Sequence, residues 1–201
     1  MKKVILFSLM AFVAGRIIAQ NIQSIAVGSK APLLEAKMKD VTGKEITMKD
    51  AMKSNGVLVM FSCNTCPFVI ENQQRTKEIA DYALKNNIGV IIINSNEAQR
   101  DEADSYMAMQ TYAKEQGYKY YYTVDENAQV ADAFGATRTP EIFILDASGK
   151  VMYKGSIDDN PSDANKVKRQ HAKEAITETI KGETVTVKET RSVGCGIKRK
   201  N

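Results

Sequence analysis

Cys63 and Cys66 stand three residues apart in Cys63-Asn64-Thr65-Cys66. Wound into a helical turn, that spacing brings two sulfurs close enough to form a disulfide with little backbone movement. The ring can open and close as redox state changes. An apolar run, Val57-Leu58-Val59-Met60-Phe61, precedes the pair, and a helical period follows from Pro67. The two thiols therefore sit where a strand turns into a helix. A thiolate at a helix N-terminus meets unpaired N–H groups and the positive end of the backbone dipole, which lowers a thiol pKa from about 8.5 toward neutrality. Each unit of lowering favours the anion by about 1.4 kcal/mol. Cys63, at the mouth of the turn, is the expected attacking thiolate, and Cys66, set deeper, the resolving one. Pro67 suits the first helical turn, where its missing N–H costs nothing. The same spacing also makes half of a zinc site, so the pair alone does not decide its chemistry.

A second element is Thr139-Pro140, just before an apolar strand at 141–146. A cis proline there would leave the Thr139 backbone free to pair with a substrate chain beside the dithiol. The alternative is an ordinary trans proline opening a strand. Cys195, in Gly194-Cys195-Gly196, is the third thiol. Either it folds back to exchange with Cys63 as an additional redox thiol, or it is a buried or idle cysteine. His171, the single histidine, would complete a metal set with the two cysteines. Its place in an amphipathic stretch favours packing or surface. Asp158 and Asp159 precede Asn160-Pro161 and read as a turn rather than a cation site.

The scaffold that must position these residues alternates short β-type runs with helix-type segments, an α/β pattern with a central sheet. Residues 37–48 read as a hairpin about Thr42-Gly43. A helix with Ile79, Ala80, Ala83 and Leu84 on one face closes at Asn86-Asn87. Residues 88–94 form a strand too apolar to have a solvent face. A helix through Tyr106, Met109 and Ala113 stops at Gly117. The four tyrosines of 118–124 read as an edge strand with its hydroxyls at the surface. A short helix near Val130 and Phe134 leads to Thr139-Pro140, strand 141–146 turns through 147–150 into its hairpin partner at 151–154, and a last helix capped by Ser162 or Asp163 ends at Gly182.

Lys2 and Lys3, an apolar run from 4 to 14, and Ala19 before Gln20-Asn21 have the layout of a secretory signal peptide, and the run is too short to span a bilayer. With 1–19 as signal, 20–185 is expected as one domain and 186–201 as a C-terminal tail carrying Cys195, in a protein exported to the periplasm or another extracytoplasmic space. No cysteine lies near the cut to carry a lipid. Loss of Lys2, Lys3 and Arg16 takes the formal charge from +4 to +1. A nucleic-acid binder needs a basic face, and the nearly neutral body presents no run of basic residues that would supply one. Lys198-Arg199-Lys200 reads as a solvated terminus. An odd count of three cysteines, two of them close together, does not fit a structural disulfide framework.

The chain resembles the thioredoxin-like redoxins of the alkyl hydroperoxide reductase and thiol-specific antioxidant group, in their peroxiredoxin-like branch. The residues that carry the likeness are Phe61-Ser62-Cys63-Asn64-Thr65-Cys66-Pro67-Phe68, Ile93-Asn94-Ser95-Asn96, Gly135-Ala136-Thr137-Arg138-Thr139-Pro140-Glu141, 155–160 and 192–198. The resemblance implies a thioredoxin fold, a central mixed β-sheet flanked by helices with an N-terminal β-hairpin extension, a cis peptide before Pro140, and redox work by Cys63 and Cys66. It implies protein or small-molecule thiols and disulfides as partners, with neither an organic cofactor nor a metal. Peroxiredoxins carry a proline, then a threonine or serine three places before one peroxidatic cysteine. Cys66 takes that cysteine's place here, so Cys63 stands where the hydroxyl residue belongs and Val59 where the proline belongs. Disulfides are thus the expected substrates ahead of peroxides. Thioredoxin proper has tryptophan before its first cysteine and a buried acid beneath the pair. Here Ser62 and Val57 take those places, leaving the proton shuttle unassigned; Glu71, one turn into the helix, is a candidate for it or a solvated glutamate. Copper-delivery proteins of this fold, the remaining rival class, have three residues between their cysteines.

Overall fold

The computed structural model describes residues 22–200; the stretch 1–19 read as a leader lies outside them. The core strand is β3 (Val57–Ser62), six residues that are all buried. It pairs in parallel with β4 (Gly89–Asn94) and antiparallel with β7 (Glu141–Leu145). Such a strand has no solvent face, which is why 57–62 and 89–94 are nearly unbroken apolar runs. The rest of the sheet is β1 (Met38–Asp40), β2 (Glu45–Ile46), β5 (Tyr121–Val124) and β8 (Val151–Gly155), in the order β2-β1-β5-β4-β3-β7-β8. The sheet is mixed, and the N-terminal hairpin β1-β2 extends it beyond β5.

Because strand side chains alternate in direction, one set of residues faces each layer. Leu58, Met60, Val90, Ile92, Ile142 and Ile144 pack under α3 (Gln73–Lys85), α4 (Tyr106–Gln116) and α6 (His171–Ile180). Val57, Val59, Phe61, Ile91, Ile93, Phe143 and Leu145 pack under α1 (Met48–Ala51) and α5 (Gln129–Phe134). On this second face Phe61, Phe134 and Phe143 meet edge to face, with ring centroids 5.1 to 5.8 Å apart. The cluster lies under the end of β3 that delivers the first cysteine.

Three local expectations change. The tyrosine strand is interior: β5 lies between β4 and β1, because the hairpin supplies it with a neighbour. Tyr122 is fully buried and its hydroxyl is turned inward. The last helix begins at His171, not near Ser162. The Asp163 carboxylate accepts from Asn165 N and caps only a single 3-10 turn, after which Asp159 holds 168–169 extended through Lys168 N and the Arg169 carbonyl. The helical period from Pro67 is split at Asn72 into α2 (Pro67–Glu71) and α3, with the Asn72 amide donating to the Phe68 and Pro161 carbonyls.

Residues 186–200 lie along the domain. Thr190 N donates to Lys154 O, and its hydroxyl meets Tyr153, Ser156 N and Ser156 Oγ. Two short strands, β6 (Arg138–Thr139) and β9 (Cys195–Gly196), then pair antiparallel. Arg199, expected in solvent, instead pairs with Asp132 at 2.6 Å and donates to Ala136 O, which α5 and its following turn place within reach.

Truncating Phe143 to Ala should cost about 3–5 kcal/mol, the usual loss for a buried phenylalanine. The measurement is the midpoint of urea unfolding at unchanged slope, with Phe143→Leu falling less. A Phe143→Ala protein of wild-type stability would show that the three rings do not hold this face together.

Candidate active site

β3 carries the chain to Ser62, Cys63 and Asn64 begin the loop, and Cys66 is the N-cap of α2 with Pro67 behind it. The Val69 and Ile70 N–H groups donate to the Cys66 carbonyl. From the other side of the site comes Thr139, joined to Pro140 by a cis peptide bond. Thr139 reaches both sulfurs: its Oγ1 is 3.4 Å from Cys63 Sγ, and its carbonyl oxygen is 3.3 Å from Cys66 Sγ. Cys63, Cys66 and Val69 form one small buried cluster, with Phe68 and Cys195 packed against it.

The disulfide is not the one expected. Cys66 is bonded to Cys195, with Cα atoms 6.1 Å apart, and Cys63 is a free, buried thiol. Cys195, read as a partner for Cys63 or as idle, instead sits opposite Thr139 in the β6-β9 pair and meets the deeper sulfur. In this state Cys66 has no proton to give the Thr139 carbonyl; once reduced, its S–H gains an acceptor there.

The expected lowering of the Cys63 pKa is also overturned. Burial pushes the thiol above its ordinary value, and the buried Asp104 charge adds to that push, while the Thr139 hydroxyl and the N–H groups of Cys66 and Thr65 draw it down without prevailing. Two features explain the result. Cys63 is 2% exposed, and α2 has only five residues with Cys66, not Cys63, at its cap.

Behind the loop lies a buried polar network. Asp104, fully buried, accepts from Asn64 N at 2.8 Å, Asn94 Nδ2 at 2.8 Å and Asn96 Nδ2 at 2.9 Å. The Tyr122 hydroxyl donates to Asn64 Oδ1 at 2.7 Å and accepts from Asn94 Nδ2 at 3.0 Å. Asn96 Oδ1 accepts from Lys198 N at 2.9 Å, so one chain of hydrogen bonds joins the cysteine loop to the C-terminal segment. Glu141 holds the opposite wall by accepting from Thr137 N and Arg138 N, and burial pushes its carboxyl above the usual range.

Of the other expected residues, Glu71 is exposed at the end of α2. His171 opens α6, which packs on α3, β7 and β8. Among the described residues, no three His, Cys, Asp or Glu side chains are gathered as a metal would require. Asp158 forms a buried ion pair with Arg75 at 2.6 Å and accepts from Asn160 N, consistent with a turn. Asp104, Asn64 and Tyr122 were not singled out as site residues, although Asn64 stands inside the 61–68 motif, Tyr122 inside the tyrosine strand, and Asn94 and Asn96, which bind Asp104, inside the motif 93–96.

A dithiol at a strand-to-helix junction, facing a cis proline across a mixed sheet, defines a thioredoxin-like redox protein. The Redoxin family matches residues 26–170, and the chain belongs to that family. It is 25% identical over 154 residues to the thiol-disulfide oxidoreductase ResA of Geobacillus thermodenitrificans, covering 75% of this chain and 83% of that one. An uncharacterized conserved protein of Geobacillus kaustophilus superposes with TM-score 0.80 at 32% identity, over 87% of this chain and 93% of that one. A hypothetical protein of Sinorhizobium meliloti gives TM-score 0.76 at 30% identity, over 89% and 97%.

With Cys66 and Cys195 bonded, iodoacetamide labelling of Cys63 should rise with pH through a midpoint above about 8.5, the value of a free thiol. Asp104→Asn removes a negative charge and should move that midpoint down. Peptide mass mapping after acid quench checks both, and a wild-type midpoint below 7 would contradict the role given to burial.

Proposed function

We propose that the chain is a thiol-disulfide oxidoreductase in which Cys63 attacks, Cys66 resolves and Thr139-Pro140 presents the substrate, a protein or small-molecule disulfide. The observation that carries this reading is that Thr139 touches both sulfurs of the pair while its strand edge is of a kind that can accept an extended chain. The ResA relative, itself named a thiol-disulfide oxidoreductase, agrees.

In the reductive direction, Cys63 loses its proton and its thiolate attacks one sulfur of the substrate disulfide. That bond breaks, a Cys63-substrate disulfide forms, and the departing thiolate takes up a proton. Cys66 then attacks Cys63 Sγ, releasing the second substrate thiol and closing Cys63 to Cys66. The substrate has gained two electrons and two protons, and an external dithiol restores the enzyme. The same steps reversed oxidise a dithiol. Thr139 serves both stages, with its hydroxyl beside the attacking sulfur and its carbonyl beside the resolving one.

Disulfides are favoured over peroxides as substrates by the place of Val59. It lies mid-strand in β3, paired with Ile91 and Phe143, where no loop is available to bend a peroxide toward a sulfur. The lysine-led apolar start of the chain supports action outside the cytoplasm, and among the described residues no helix is long and apolar enough to cross a membrane.

Reduction of insulin by the protein with dithiothreitol as electron source tests the assignment. Cys63→Ser should lower the rate at least about 100-fold, because the attacking sulfur is gone. Cys66→Ser, reduced and then freed of dithiothreitol before mixing with insulin, should accumulate a Cys63-insulin mixed disulfide visible on a non-reducing gel. Wild-type protein that consumes hydrogen peroxide rapidly and leaves insulin intact would overturn the reading.

A further inference from the structure

The strand edge at Thr139 is already filled, and by the protein itself. Thr139 pairs with Cys195 and Arg138 with Gly196, and Ile197 N donates to Thr137 O at 3.0 Å. Gly194 runs so close that a Cβ built there would lie 2.1 Å from the Thr139 carbonyl oxygen. Only glycine permits that approach. Both ends of the segment are fastened. Upstream, Thr190 packs against Gly155, where a Cβ would meet its Oγ1 at 2.1 Å. Downstream, Ile197 is buried in the α1/α5 face of the core, Lys198 pairs through its backbone with Asn96 Oδ1 and Ala98 N, and Arg199 binds Asp132. Between those anchors the chain lays a cysteine across the dithiol, in an extended strand joined by a disulfide to the resolving sulfur.

We propose that residues 194–196 are a built-in substrate, and that Cys195 is a third redox thiol whose bond to Cys66 keeps the site closed to other chains until Cys63 resolves it. The inference rests on the function proposed above, since it uses the same strand edge and the same pair.

The step is a balanced exchange. Cys63 gives up its proton and attacks Cys66 Sγ; the Cys63–Cys66 bond forms as the Cys66–Cys195 bond breaks. Cys195 leaves as a thiolate and takes up the proton. One disulfide is made and one lost, with no net oxidation or reduction, so no outside reagent is needed. The product has an oxidised Cys63–Cys66 pair and a strand no longer tied to it. The Thr139 edge can then receive another chain. The reverse attack, Cys195 on Cys66, closes the site again.

A tethered competitor has a large advantage. A short linkage gives an effective concentration on the order of millimolar, so a free protein partner at micromolar concentration meets about a thousandfold excess of the internal strand. Covalent release is a direct way to remove it. Cys63 is buried in one small cluster with Cys66 and Val69, and Cys195 of the internal strand packs against that cluster, which accords with a closed resting form.

The test uses the full chain, acid-quenched and mapped by mass spectrometry for the Cys66–Cys195 and Cys63–Cys66 disulfides. Wild type should contain both, Cys63→Ser only the first and Cys195→Ser only the second. Gly194→Ala, whose Cβ cannot sit against Thr139, should shift the balance at least about tenfold toward Cys63–Cys66 and reduce insulin at least about threefold faster than wild type. Ile197→Ala removes an anchor without touching the strand, should shift both readouts the same way, and serves if Gly194→Ala does not fold. Wild-type disulfide shares and insulin rates in the folded variants would overturn the proposal while leaving the oxidoreductase reading intact. A shifted disulfide balance with no insulin reduction by any form, wild type included, would do the opposite.

Discussion

Thr139 lies beside all three cysteines at once. Its carbonyl and hydroxyl face Cys66 and Cys63, and its strand edge aligns Cys195. Strand pairing fixes a neighbouring chain in both register and direction, and at this edge it sets Cys195 opposite Thr139, beside the Cys63 and Cys66 cluster. The seven-stranded sheet exists, from the site's point of view, to hold two things opposite each other: the end of β3 with its cysteine loop, and β6 leading into β7. Pairing of β3 with β7 from Val57↔Leu145 to Phe61↔Glu141 does this directly. Glu141 then turns back to accept from Thr137 N and Arg138 N, fixing the loop that carries Thr139.

The second constraint is the buried carboxylate of Asp104. A charge withdrawn from water is expensive unless its oxygens are satisfied, and here three donors from Asn64, Asn94 and Asn96 fill them. Each donor belongs to a different part of the site: the cysteine loop, the end of β4 and the turn that receives Lys198. Networks of this kind strengthen and order their members together. The loop and the C-terminal segment therefore share a common support, and a change in one has a physical route to the other through Asn96.

Two opposing effects act on Cys63. A helix N-terminus lowers a thiol pKa through dipole and N–H contacts worth about 0.3–1 kcal/mol when exposed, and up to about 2 kcal/mol in favourable partly buried geometry. Burial alone can move a pKa by as much as 3–5 units in the other direction. Cys63 lies outside a five-residue helix and almost wholly out of solvent, so burial prevails. The thiol pair and the fold were legible from the sequence, because a six-residue apolar strand, a dithiol and a proline-led helix leave a clear pattern at 57–71. The inward Tyr122 was not, because whether a strand is interior depends on a neighbour, β1, far away in the chain.

The pairing of Cys66 with Cys195 was illegible for a sharper reason. β6 and β9 have two residues each, too few to show a period of two, and glycines on both sides of Cys195 read locally as loose backbone. What holds the segment is spread over contacts with β8, α5, the 94–98 turn and Thr137, none of which has a sequence signature. Glycine has opposite meanings in the two settings: in a free tail it loosens the chain, while at 194 it permits a backbone approach that any side chain would block. The same property that lets glycine loosen a free chain is what lets residue 194 lie against Thr139 and sets Cys195 opposite it in the short strand pair.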